Sequence, residues 1–143
     1  TGLNKDDMKK KYGEDKIFMF RRSWDTPPKP LSKNNPYHPA NIETYNDIPR
    51  EKLPDTESLK NTYERVVKYY QLNIEKNLNK NILIAAHGNS IRALCKYLFD
   101  LDNELISKLE IPTGNPLLIN FDNKKVKEAK YLDFSRAKDL IKF

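Results

Sequence analysis

Residues 82–86, Ile-Leu-Ile-Ala-Ala, form an unbroken apolar run, the pattern of a strand covered on both faces, as parallel strands in α/β sheets are. Past it, Ile91, Leu94, Cys95 and Leu98 recur at helical spacing, with Arg92 and Lys96 off that stripe. The stretch 81–99 therefore reads as strand, tight turn and helix in immediate succession. Upstream, Leu59, Tyr63, Val66, Tyr70 and Ile74 form one stripe, which predicts a long helix over about 57–78 feeding the strand. Earlier still, Ile17, Phe20, Arg21 and Trp24 share the spacing of a helix over 14–23, which puts Arg21 on its apolar side. A short helix precedes it, with Asn4 as N-cap, Asp6 and Asp7 in the first turn, Lys9, Lys10 and Lys11 in the last, and Gly13 just beyond its end.

Between these helical patterns the texture changes. Over residues 25–55, Pro27, Pro28, Pro30, Pro36, Pro39, Pro49 and Pro54 interrupt any period and no glycine occurs. Tyr37, Ile42, Tyr45 and Ile48 supply apolar anchors, so the segment is expected to be a lid packed over the body. His38 reads as a loop residue without a catalytic role. Near the other end, Asp102 caps a helix carrying Leu105, Ile106 and Leu109, and residues 111–116 make a turn or loop. Residues 117–121 read as a strand, 122–124 as a turn into a second extended segment over 126–132, and Ser135 as the cap of a terminal helix.

The chemistry gathers where the apolar run meets its helix, at His87, Gly88, Asn89 and Ser90. A glycine lets backbone approach a ligand closely, and the free N–H groups of a helix start favour an anion. The imidazole would stand at the carboxyl end of a strand, the crevice α/β folds use for ligands. Two readings follow from spacing: a histidine that only caps or packs, and one that faces a bound group. Arg21 poses a similar choice, since a guanidinium on an apolar face needs either a carboxylate or an anion in a cleft.

A length of 143 residues, 38% apolar and 32% charged, suits one domain with a real core. The net charge of +6 is read mainly as a solvated Lys-rich surface, compatible with an anionic small molecule. No basic stripe interleaved with aromatics points to nucleic acid. Cys95 is the only cysteine, which excludes an internal disulfide and a thiolate-rich metal site, and it falls on an apolar stripe as a buried structural thiol does. The longest apolar run is about a quarter of a membrane span, and a cytoplasmic location is expected.

Taken together, the motifs Tyr12-Gly13, Arg21-Arg22-Ser23-Trp24-Asp25 with Pro27-Pro28, Leu53-Pro54-Asp55-Thr56-Glu57-Ser58-Leu59, Ala85-Ala86-His87-Gly88-Asn89-Ser90-Ile91-Arg92-Ala93, Ile111-Pro112-Thr113-Gly114 and Pro116-Leu117 resemble cofactor-dependent phosphoglycerate mutase, of the histidine phosphatase superfamily. The resemblance covers nearly the whole chain in one order. It implies an α/β fold, a doubly wound, mostly parallel sheet flanked by helices, of which residues 1–143 are the later part of a single domain. The family's Arg-His-Gly nucleophile and its acid/base Glu do not occur, so the chain is expected to belong to a longer protein and to be inactive alone, with exposed apolar edges where neighbouring strands would lie.

By the resemblance, His87 is the second active-site histidine, facing the transferring phosphoryl group. Lys5 matches a lysine that binds the substrate's anionic end, Arg21 and Arg22 the pair that grips the acid, and Gly88 with Asn89 the phosphate-side contacts. The implied reaction interconverts 3-phosphoglycerate and 2-phosphoglycerate, primed by 2,3-bisphosphoglycerate, with no metal, no membrane and no nucleic-acid partner, in an intact protein expected to be a homo-oligomer. A bisphosphoglycerate synthase or phosphatase would share the site. A non-catalytic phosphate-binding domain, or a structural piece whose arginines are paired with acids, are the readings of another class.

Overall fold

A computed structural model describes residues 3–138. The chain divides between Leu59 and Lys60 into two compact units. In the first, helix α1 (Lys5–Tyr12) starts where the Asn4 side chain accepts from the N–H groups of Asp6 and Asp7, and stops at Gly13, whose φ of 85° a side chain would resist. Helix α2 (Glu14–Arg22) follows at once. Its stripe of Ile17, Phe20 and Trp24 is only half-buried and no residue of α2 is fully buried. The expectation that the apolar side of this helix is an interior face at Arg21 is therefore corrected: Arg21 is exposed, because even the apolar stripe beside it is no more than half-buried.

The Pro-rich segment contains three single-turn 3-10 helices, Pro39–Asn41, Glu43–Tyr45 and Arg50–Lys52. Hydrogen bonds order it more than apolar anchors do. Leu31 N–H donates to the Asp55 carbonyl at 2.9 Å, Thr56 Oγ1 to the Pro28 carbonyl at 2.7 Å, and Asn41 Nδ2 to the carbonyls of Lys33 and Asn35, each at 2.8 Å. Of the expected anchors, Tyr37, Tyr45 and Ile48 are exposed and only Ile42 is half-buried.

In the second unit, the long helix predicted over 57–78 is α-helical as α3 (Leu59–Tyr69), then widens to a π-turn at Tyr70–Ile74 and tightens to a 3-10 turn at Glu75–Asn77. Two asparagines explain the change. Asn73 Nδ2 donates to the Tyr69 carbonyl and Asn77 Nδ2 to the Asn73 carbonyl, side-chain bonds that compete with the helical ladder. Helix α4 (Gly88–Leu98) buries Ala93, Leu94 and Cys95, and α5 (Asn103–Lys108) starts from the Asp102 carboxylate, which accepts from Leu105 N–H at 2.7 Å. Ile106 and Leu109, both 0% exposed, lie with Cys95 at the centre of this core, and Tyr70 packs edge-on to Tyr97 with ring centres 5.8 Å apart.

Strands β1 (Leu117–Asp122) and β2 (Lys125–Tyr131) pair antiparallel, Leu117 opposite Tyr131 and Asp122 opposite Lys125, with an irregularity after Asn120. The two turn residues, Asn123 and Lys124, both have positive φ, the geometry whose twist matches a two-residue hairpin. Buried Asn115 ties the preceding turn to the hairpin's end, donating to the Asp133 carbonyl and accepting from its N–H. Residues 135–138 form a turn, and the remainder of the predicted terminal helix lies outside the described residues.

The strand predicted at 82–86 is not formed. The run is unpaired in any sheet, and Leu83 is 92% exposed, with Ile82 and Ile84 at 41% each. A strand is defined by its neighbours, and among the described residues the only ladder is the β1–β2 hairpin. Helices and a small antiparallel sheet are thus present, whereas a doubly wound parallel sheet is not seen in the described residues. Apolar side chains are exposed at this run, though not as the edge of a sheet.

Candidate functional site

The turn between the apolar run and α4 is built around His87. Its backbone is extended (φ −63°, ψ 145°), so it is the N-cap of α4, and Nδ1 accepts from Asn89 N–H at 3.3 Å. The His87 carbonyl in turn accepts from Ser90 and Ile91 N–H at 2.9 and 3.1 Å. A ring nitrogen that accepts carries no proton, which leaves Nε2 as the donor of an exposed imidazole. The capping reading of this histidine is therefore realised, and it is compatible with the other, because the cap uses one nitrogen and orients the second. At Gly88 an added Cβ would meet nothing within 4 Å, so the glycine leaves open space beside the cap.

Asn89, in the first turn, is exposed, and its Oδ1 accepts from Arg92 Nη1 at 3.3 Å. Arginine has only donors, so this contact assigns the amide: Oδ1 faces the guanidinium and Nδ2 is left to donate elsewhere. Arg92 is 3% exposed, and its Nη2 donates to the Ile106 carbonyl, joining α4 to α5. In the sequence pattern Arg92 lies off the apolar stripe of α4. Its burial has a physical reason: α5 closes over that face and offers a carbonyl to the guanidinium. Nothing in the periodicity signals this. The nearest hint is the Asn89–Arg92 spacing of three, which aligns donor and acceptor on one helix face.

An apolar groove of about 390 Å³ lies beside this turn, lined by residues that include Val66, Tyr70, Ile84, Ala86 and Leu94. Its walls are mostly apolar, with Arg65 and Ser90 also among the lining residues. Cys95, deep in α4, is held as a thiol, burial pushing its pKa up to about 12, so it is no nucleophile.

The expected substrate-binding cations lie in the first unit. Lys5 opens α1 and is exposed; Arg21 and Arg22 close α2, the first exposed and the second half-buried. His87, Gly88 and Asn89 stand together in the second unit. Among the described residues no group of three or more His, Cys, Asp or Glu could hold a metal ion, and no helix is long and apolar enough to cross a membrane.

The sequence profile of the histidine phosphatase superfamily (branch 1) matches residues 24–133, and the chain belongs to that family. Within it, the chain is 67% identical over its whole length to a protein of Pelagibacter ubique (strain HTCC1062) named 2,3-bisphosphoglycerate-dependent phosphoglycerate mutase, of which it covers 61%. Proteins of the same name from Maricaulis maris (strain MCS10) and Hyphomonas neptunium (strain ATCC 15444) are 45% and 47% identical over 98% of the chain, with 59% of each covered. The resemblance drawn from the motifs is borne out. The chain spans about 60% of the length of these curated relatives.

Proposed function

We propose that this chain is the later part of a phosphoglycerate mutase domain that interconverts 3-phosphoglycerate and 2-phosphoglycerate in the cytoplasm. The observation that carries the reading is the 67% identity, across every residue of the chain, to a relative so named. In this reading residues 82–86 are a central strand of a doubly wound parallel sheet, and their exposure is the edge that neighbouring strands cover in the intact protein. The intact protein is a homo-oligomer whose partner is a phosphorylated small acid.

Phosphoryl transfer spreads charge over equatorial oxygens, so catalysis rests on positioning and fixed positive charge. His87 Nε2 and Asn89 Nδ2 are donors of the right polarity for phosphoryl oxygens, and buried Arg92 adds positive charge behind them. Arg21 and Arg22 offer forks that fit a carboxylate or phosphate, and Lys5 offers a point charge. Each of the two sets of donors, taken within its own unit, has the polarity for an anionic group of 2,3-bisphosphoglycerate, which when bound supplies the priming phosphoryl group. The attacking histidine of the family stands in an Arg-His-Gly motif that these 143 residues do not contain, so the chain alone is expected to be inactive.

Titrating 3-phosphoglycerate into the chain tests the grip. Replacing both arginines (R21A with R22A) removes two sets of charge-assisted bonds worth about 1.5–3 kcal/mol each, so affinity should fall more than about a hundredfold. An unchanged affinity would refute the assignment of the arginine pair. Turnover by the chain alone would refute the missing-nucleophile argument.

A further inference from the structure

The geometry points to His38 as a positioning residue: its ring, clasped between Asp55 and the Ala40 amide, fixes the backbone that follows the Arg21–Arg22 pair. His38 is 2% exposed inside a segment whose aromatic and aliphatic neighbours Tyr37, Tyr45 and Ile48 are exposed, so burial here is given to a polar ring. Both ring nitrogens are engaged. Nδ1 accepts from Ala40 N–H at 3.0 Å, capping the Pro39–Asn41 turn, and Nε2 meets Asp55 Oδ1 at 2.9 Å. A carboxylate only accepts, so the proton sits on Nε2 and the two contacts together select one neutral tautomer. A buried ring satisfied at both ends is fixed in orientation, and it fixes what it holds.

What it holds is Asp55. The backbone carbonyl of that residue accepts from Leu31 N–H, and its neighbour Thr56 donates to the Pro28 carbonyl. Residues 28–31 are therefore tied to 55–56, and the stretch they end begins at Ser23, the C-cap of the helix that carries Arg21 and Arg22. Ser23 Oγ donates to the Thr26 carbonyl, which stiffens that start. Arginines at a helix end keep their direction only if the chain leaving the helix keeps its own. The clasp follows from the contacts; that it serves anion binding rests on the phosphoglycerate mutase reading.

Asparagine and glutamine separate the two contacts. An Asn side-chain oxygen sits where Nδ1 sits and can cap Ala40, whereas a Gln side-chain nitrogen reaches as far as Nε2 and can meet Asp55. In the full 143-residue chain, nitrogen-detected NMR should find His38 protonated at Nε2 alone. Amide exchange should then divide. H38N should speed exchange at Leu31 about tenfold, the equivalent of one hydrogen bond to a charged group, and spare Ala40; H38Q should do the reverse. With 3-phosphoglycerate as the probe, H38N should weaken binding several-fold and H38Q should restore it. Protection at Leu31 that survives H38N, or a ring protonated at Nδ1, overturns the clasp. Lost protection with unchanged affinity overturns the positioning role. If R21A with R22A leaves affinity unchanged, the binding role falls with the functional reading, and exchange still judges the clasp by itself.

Discussion

Between Pro28 and Thr56 the chain carries no long helix and no strand, yet its polar groups meet one another: a threonine and an asparagine side chain serve the carbonyls of residues 28, 33 and 35, and a histidine serves Asp55. Residues 82–86 are richer in apolar side chains and have no ladder, Leu83 almost wholly in solvent. The difference lies in where the partners are. Proline has no N–H, so a Pro-rich stretch has fewer donors to satisfy, and those left can be met by side chains close in sequence. A strand needs a second strand for every backbone group it buries, and no local side chain can substitute. One segment thus meets its polar groups locally, and the other has no ladder to meet them.

The largest test of that contrast sets the apolar run against the core it adjoins. Ile106→Ala, at a position with no exposed surface, should cost about 2–5 kcal/mol of unfolding free energy, read from urea denaturation of the chain. Leu83→Ser should change it by no more than about 0.5 kcal/mol, because no packing is lost. If Leu83→Ser proved as costly as Ile106→Ala, the run would be buried in solution and the contrast would collapse.

A second test asks whether α4 keeps its core while the run beside it stays open. Cys95 is held near 12 by burial, from an ordinary value near 9. Its folded pKa lies above its unfolded one, so its contribution is fully present below about pH 9 and is lost as pH rises toward 12, where only the unfolded chain has released the proton. Burial also raises Tyr70 and Tyr131 to about 12, in the same direction. Stability of the second unit should therefore fall across this window, with a slope of up to about 1.4 kcal/mol per pH unit from the thiol. Alkylation of Cys95 at pH 8 should be slow and limited by opening of α4. Rapid labelling in folded protein would mean that the open run leaves α4 unsealed.

Local signals were the legible ones. Asn4 and Gly13 bounded α1, Asp102 started α5, and the Asp122-Asn123-Lys124 turn predicted the hairpin, because each acts within a few residues of itself. The site turn was legible for the same reason: cap, glycine and amide are consecutive. What failed was non-local. The run at 82–86 gives the pattern of a buried strand and says nothing of whether a partner is present, and the stripe of α4 cannot reveal that α5 closes over Arg92. His38 was read as a plain loop residue since its partner, Asp55, lies 17 positions away. The asparagines of the long helix were visible, but their competition with the ladder shows only in geometry.

The smallest expected effect probes the self-sufficiency of the Pro-rich segment. Asn41 Nδ2 donates to two carbonyls, of Lys33 and Asn35, at 2.8 Å each, and no apolar anchor could replace that service. Asn41→Ala should release both, at about 0.5–1.5 kcal/mol per bond, with water taking over part of the loss because the residue is exposed. The net should be near 1 kcal/mol, confined to the first unit. Amide exchange at His38, whose N–H donates to the Asn35 carbonyl, should accelerate about fivefold, while protection of Ile106 in the second unit stays unchanged. An Asn41→Ala chain with full protection across residues 31–42 would mean that side-chain donors are not what orders the segment, and that the half-buried Ile42 does more than its exposure suggests.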